Sequence, residues 1–145
     1  MRDLGEDPRP ARGAVREIHS LDGPVTLAYS PDLDGLADPG EIVWAWVPYE
    51  EDPSRGKDRP LLVVGRTGRR LLGMMLSSKG DGGPEWLPIG AWGSDGRASY
   101  LRLDRVFVLG EDDLRREGAV LDADRFARVA AHLTHAYGWD AARRH

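Results

Sequence analysis

Three apolar runs of strand length stand close together in the middle of the chain, at residues 42–47, 61–64 and 71–76, parted by Pro, Gly and charged residues. Strand interiors rarely accept such separators, so the pattern predicts a strand, a long loop and a hairpin. In the first run Ile42, Trp44 and Trp46 alternate with Val43, Ala45 and Val47. All six are apolar, which leaves no wet face and places this strand inside a core. Between the second and third runs, Arg66-Thr67-Gly68-Arg69 supplies the turn chemistry of a short antiparallel hairpin. Arg59 precedes Pro60, which favours extended backbone and sets a cation at the mouth of the second strand. Ser77, Ser78 and Lys79 end the third, so hydroxyls and a second cation face the long loop from the same sheet.

The flanks are patterned less strongly. Residues 1–13 are charged, rich in Pro and Gly and nearly free of apolar side chains, which predicts a disordered tail. Segments 14–19 and 25–29 flank Leu21-Asp22-Gly23-Pro24 and predict a hairpin arm, followed by a Pro/Gly/Asp linker over 30–40. That arm either adds a strand to the sheet edge or covers a groove. After Lys79 comes a turn-rich loop, interrupted by a short apolar piece at 86–89. Residues 98–103 and 106–109 read as a strand pair or as one strand bent at Asp104-Arg105. Acids at 111–113 followed by Arg115, Arg116 and Gly118 predict a short helix over 111–117, its charges matched to the helix dipole. The last element is the clearest helix: from an Asp122 or Asp124 cap, Phe126, Val129, Ala130, Leu133 and Tyr137 recur at helical spacing, and Gly138 ends it. The chain is therefore expected to be mainly β with α, an α+β domain over 40–138 with a helix packed on the sheet. Tail 1–13, arm and linker 14–39 and tail 139–145 lie outside that domain.

Composition narrows the function classes. With 145 residues, 41% hydrophobic and 30% charged, the chain has room for one domain with a sizeable core. It has no cysteine, which excludes disulfides, thiolate chemistry and zinc-cysteine sites and fits a reducing, cytoplasmic location. No apolar window spans a bilayer and the first residues lack a signal-peptide h-region, so no membrane role is expected. The net charge of −4 argues against nucleic-acid binding until its distribution is read. Residues 1–58 hold 13 acids and 6 bases, residues 59–105 hold 4 acids and 8 bases, and residues 106–145 hold 7 acids and 6 bases. The middle of the chain is its basic part. Eighteen of the twenty basic residues are Arg, suited to bidentate phosphate contacts, although a GC-rich genome gives the same bias.

The motifs at the organising stretch resemble the PemK/MazF family of type II toxin-antitoxin toxins. They are Gly-Glu-Ile-Val-Trp at 40–44, Gly56 in the long loop, Arg59-Pro60, Leu-Leu-Val-Val at 61–64 and Leu-Ser-Ser-Lys at 76–79, continuing through 100–109, over roughly residues 39–138. The resemblance implies a small SH3-like curved β-barrel, a homodimer, a cognate antitoxin and metal-independent cleavage of single-stranded RNA. It points to Arg59 and Ser77 as catalytic and to Ser78, Lys79 and Arg105 as RNA-binding. Two positions depart: Trp46 stands where many relatives carry an acid, and Ser77 where they carry Thr. The chemistry of the residues agrees with these roles. A guanidinium holds two phosphate oxygens and stays charged, which suits stabilisation of a phosphoryl transition state, and a hydroxyl donates or relays a hydrogen bond. The alternative is a barrel of the same fold that binds a protein or nucleic acid without cutting it.

Other candidates carry less. His132 and His135 on the last helix lack a third ligand nearby in sequence, so no metal or other cofactor is expected. Trp44 and Trp46 read as core, whereas Trp86 and Trp92 on a Gly-rich loop remain candidates for stacking RNA bases.

Overall fold

A computed structural model describes residues 15–19, 25–27, 29, 37–67, 70–79, 83–93 and 96–141. The expected tail 1–13, the arm's turn at 21–24, most of the linker and the hairpin turn residues 68 and 69 lie outside the described residues.

The centre of the sheet is β4 (Gly56–Thr67), paired antiparallel with β3 (Glu41–Pro48) from Ile42↔Leu62 to Pro48↔Gly56 and with β5 (Arg70–Ser77) from Leu61↔Met75 to Thr67↔Arg70. β5 in turn carries β7 (Ala98–Arg102) at Leu76↔Leu101 and β8 (Val106–Leu109) at Gly73↔Phe107. β7 and β8 therefore follow one another along the same partner, which makes 98–109 a bent strand rather than a strand pair. β6 (Trp86–Ala91) extends the sheet beyond β7, and β9 (Arg115–Val120) extends it beyond β3. The sheet is antiparallel apart from β10 (Asp140–Ala141), which lies parallel to β2 (Thr26–Leu27). Among the described residues the strands do not close into a barrel.

Alternation of side chains gives this sheet two cores. One face of β3, β4 and β5 contributes Ile42, Leu62, Val64, Leu72 and Met74, and it is covered by α1 (Ala123–Tyr137) through Phe126, Val129, Ala130 and Leu133. The opposite face contributes Val43, Ala45, Val47, Leu61, Val63, Leu71 and Met75, packed with Phe107 and Leu109. Burying each such side chain stabilises the fold by roughly 1.5–3 kcal/mol. The helix begins at Asp122, whose carboxylate accepts the Arg125 N–H at 3.1 Å, and ends at Gly138 with φ 72°.

The arm is not a hairpin in the described residues. β1 (Arg16–Ile18) pairs with β8, while β2 pairs with β4 at Thr26↔Arg66, so its two segments join the sheet at separate places. The first residues of the expected fraying tail are held as well, since Asp140 and Ala141 form β10. The expected helix at 111–117 is also overturned: only Glu111–Asp113 makes a single 3-10 turn, and the rest is β9. The fully buried Glu41 carboxylate accepts from Arg116 Nε at 2.7 Å and Nη2 at 2.9 Å, which fixes β9 on β3. Gly118, with φ 79°, sits in β9 where its register against Ile42 and Val43 shifts, so this glycine forms a bulge instead of a helix end.

Candidate active site

The site arises where β4 and β5 part. Their pairing stops at Leu61↔Met75; beyond it Arg59 pairs with Ala45 of β3 and Ser77 with Tyr100 of β7, and both line the cleft that opens between the parted strands. Before Leu61, β4 keeps only β3 as a neighbour, and beyond Met75, β5 turns to β7. The strands thus leave a fork with one open edge on each side. Pro60, which has no N–H to give a ladder, is tolerated inside β4 because β5 has already departed. Along that open edge lies a cleft of about 750 Å³ bordered by Lys57, Asp58, Arg59 and Pro60 on β4, by Leu76, Ser77, Ser78 and Lys79 on β5, and by Trp44 and Trp92. Arg97, Ser99, Glu117 and Ala119 complete its rim.

Four cations, Lys57, Arg59, Lys79 and Arg97, face two carboxylates, Asp58 and Glu117, in that lining. Asp58 is already engaged: Arg115 donates to its two oxygens at 3.1 and 2.5 Å. The local field is therefore positive on a chain whose net charge is −4. Arg59 is half-buried and forms no side-chain hydrogen bond or ion pair among the described residues. Burial draws its pKa down from the ordinary arginine value; Tyr49 and Glu51 oppose this and the nearby Arg105 reinforces it. The guanidinium nonetheless remains a cation at neutral pH, ready for an anionic ligand. Ser77 Oγ accepts the Lys79 backbone N–H at 3.0 Å, which leaves its own hydroxyl proton to be donated.

Of the residues read from sequence, Arg59, Ser77, Ser78 and Lys79 share this cleft, and Arg105 does not border it. Arg105 is only 4% exposed, donating to Glu17 at 3.1 and 2.8 Å and to the Pro48 carbonyl at 3.0 Å, and its guanidinium lies 4.9 Å from the Phe107 ring centre. It is a buried support beside Arg59. Trp46 is a core residue whose ring covers Gly56, where an added Cβ would strike both that ring and the Val47 carbonyl. An aromatic ring thus holds the start of β4. Lys57, Arg97 and Glu117 were missed by sequence reading, although a strand reading of 56–60 would put Lys57 on the same face as Arg59. His132 and His135 stand on the exposed side of α1, and no group of three His, Cys, Asp or Glu side chains converges among the described residues.

A cation-lined fork in a mainly β sheet, with a guanidinium and a hydroxyl in one lining, has the charge and the donors to hold a phosphate-bearing ligand. Residues 38–137 match the family of PemK-like, MazF-like toxins of type II toxin-antitoxin systems. The chain belongs to that family. No curated protein matches the chain. No helix among the described residues is long and apolar enough to cross a membrane.

Proposed function

We propose that the fork between β4 and β5 is the active site of a toxin endoribonuclease that cuts single-stranded RNA without metal. The 2′-hydroxyl of one nucleotide loses its proton to water and its oxygen attacks the adjacent phosphorus, the P–O5′ bond breaks to leave a 2′,3′-cyclic phosphate, and O5′ takes a proton from Arg59, which water then restores, to leave as a 5′-hydroxyl. Arg59 holds two phosphoryl oxygens and stabilises the charge that gathers on them, its proton made easier to share by burial. Ser77 donates its hydroxyl hydrogen to the same group, and Ser78 and Lys79 bind the flanking backbone. Arg105, assigned to RNA binding from sequence, acts here by supporting the Arg59 side of the cleft. The observation that supports the reading is the single cleft that Arg59, Ser77, Ser78 and Lys79 line together where β4 and β5 part.

The protein works in the cytoplasm as a homodimer neutralised by a cognate antitoxin whose acidic, unfolded segment competes with RNA for the positive cleft. The described surface exposes only Tyr29 and Tyr137 among large hydrophobic side chains, so the family membership and not an apolar patch supports the dimer. The test is incubation of the purified protein with an unstructured RNA in EDTA. Cleavage that yields 5′-hydroxyl ends is expected; cleavage abolished by EDTA and restored by magnesium overturns the mechanism. RNA binding with no cleavage would mark a binding module of the same fold.

A further inference from the structure

Trp44 and Trp92 meet in the cleft, their ring centres 6.4 Å apart and their planes inclined by 55°. The cores explain them only in part. Both are half-buried, and Trp44 is the one residue of β3 that is not fully buried. Trp92 packs against the helix-side core and its indole N–H donates to Ser99 Oγ at 3.1 Å, so the ring is locked from behind while part of it faces the cleft. A fixed aromatic surface open to solvent beside a phosphate-binding group loses little entropy when a ligand stacks on it. The cleft volume of about 750 Å³ lies within the roughly 300–1,000 Å³ range of ligand pockets and has room for a base as well as its phosphate.

Glu117 borders the same cleft and forms no side-chain hydrogen bond among the described residues, although the charge of Arg115 lies near it. A carboxylate only accepts, and guanine alone among the four bases presents two adjacent donors, N1–H and N2–H₂, on its pairing edge. Adenine and cytosine set a ring acceptor beside their amino group, which a carboxylate repels.

We propose that Trp44, Trp92 and Glu117, which line one cleft with Arg59, form a subsite for one unpaired guanine next to the phosphate held by Arg59. The proposal rests on the endoribonuclease reading and adds the base that the substrate must carry. It also gives a purpose to the solvent-facing part of two tryptophans otherwise spent on packing.

The test uses the intact protein and 2′-O-methyl oligoribonucleotides, which bind without being cut. Their units are abasic except at one position, which carries guanine, adenine, cytosine, uracil or no base. Tryptophan fluorescence reads Kd. Guanine should bind tightest, and its removal should weaken binding by roughly 5- to 150-fold, a stack of 1–3 kcal/mol converted at 1.4 kcal/mol per tenfold. Trp92→Leu, which keeps apolar bulk but has no π-face, should bind the guanine oligomer as weakly as the wild type binds the abasic one, with no further loss on the abasic oligomer itself. Trp44→Leu serves if Trp92→Leu fails to fold, and the wild-type comparison decides in either case. Glu117→Gln should narrow the preference of guanine over adenine. Equal binding of the guanine and abasic oligomers by the wild type overturns the subsite while leaving the endoribonuclease reading intact, and so do additive losses from Trp92→Leu and base removal. A preference for adenine overturns the role of Glu117. If no oligomer binds at any concentration tested, both the subsite and the endoribonuclease reading fall.

Discussion

Glu17 and Arg105 form a two-pronged ion pair at 3.1 and 2.8 Å, joining the N-terminal arm to the turn between β7 and β8. Glu17 lies outside residues 38–137, the part matched by the family, yet it holds a guanidinium that also donates to the Pro48 carbonyl. The pair thereby ties β1 to the end of β3, helped by the Val15 N–H, which donates to the Trp46 carbonyl at 3.2 Å.

Removing one member of such a pair leaves a charge in a place that cannot hydrate it. The Arg105 side chain is 5% exposed and that of Glu17 is 20% exposed, so Glu17→Gln should destabilise the fold by about 2–3 kcal/mol, below the usual cost for a fully buried pair. Thermal melting should show a drop of several degrees. Glu17→Leu combined with Arg105→Met should cost less than Glu17→Gln alone, since no buried charge is then stranded. Equal melting of Glu17→Gln and wild type would mean that the arm does not brace the sheet.

Gly56 supplies a second stability test. A methyl group there would meet the Val47 carbonyl oxygen and the ring of Trp46 at once, and backbone cannot swing aside as a flexible side chain can. Gly56→Ala should cost about 1–3 kcal/mol through overpacking and shift the emission of Trp46. Because Lys57 and Arg59 follow in the same strand, RNA cleavage should fall with it.

Much of this fold is legible in the sequence where burial alone decides. The run at 42–47 has apolar residues on both alternating sets, and β3, like β4 and β5, has a core on each face. The α1 stripe is equally plain, because cap, spacing and terminal glycine all agree. Residues 56–60 were hidden: Lys57-Asp58-Arg59-Pro60 carries neither alternation nor β propensity, and its strand geometry comes from pairing with β3. The same long-range pairing overrides the charge pattern of 111–117, where the Glu41 and Arg116 ion pair holds a strand. Arg105 looks like a surface cation in sequence, and only Glu17, 88 residues away, shows why it is buried. For the site, the hydroxyls and cations were visible at their strand ends, whereas Lys57, Arg97 and Glu117 are brought in by topology.

Acid should weaken a surface network near the rim of the sheet. Arg102 donates to Asp104 at 2.5 Å and to Glu50 at 3.3 Å, and its guanidinium lies 5.3 Å from the Trp86 ring centre. The hydrogen bond from Arg102 holds the Asp104 pKa below its ordinary value of 3.8. A depressed carboxylate stabilises the fold above its unfolded pKa, and the effect is lost as pH falls through the lower, folded pKa. Asp104 is largely exposed, so the contribution should stay below about 1 kcal/mol. Chemical denaturation between neutral pH and pH below 3.8 should lose less stability in Asp104→Asn than in the wild type. An identical acid limb in both would remove the ion pair from the account.

The remaining prediction separates Arg59 from Ser77. If Arg59 acts on charge that is greatest in the transition state, Arg59→Ala should lower the cleavage rate by ~100-fold or more. RNA binding should weaken far less, because Lys57, Lys79 and Arg97 share the cleft and continue to neutralise phosphates. Arg59→Lys should recover little, since an ammonium is a point charge and lacks the planar fork that holds two oxygens. Ser77→Ala removes one neutral donor and should cost less than the arginine does. Ser77→Thr should be nearly silent: it keeps the hydroxyl, and a β-branched residue suits the end of β5. Melting must accompany each variant, because Arg59 is flanked by Pro60 and the Ala45 pairing of β3, and a shift there would move the whole edge of the fork. An Arg59→Ala protein that melts like the wild type and cuts RNA at a similar rate would place the chemistry elsewhere in the cleft, with Ser78 and Lys79 the next residues to replace.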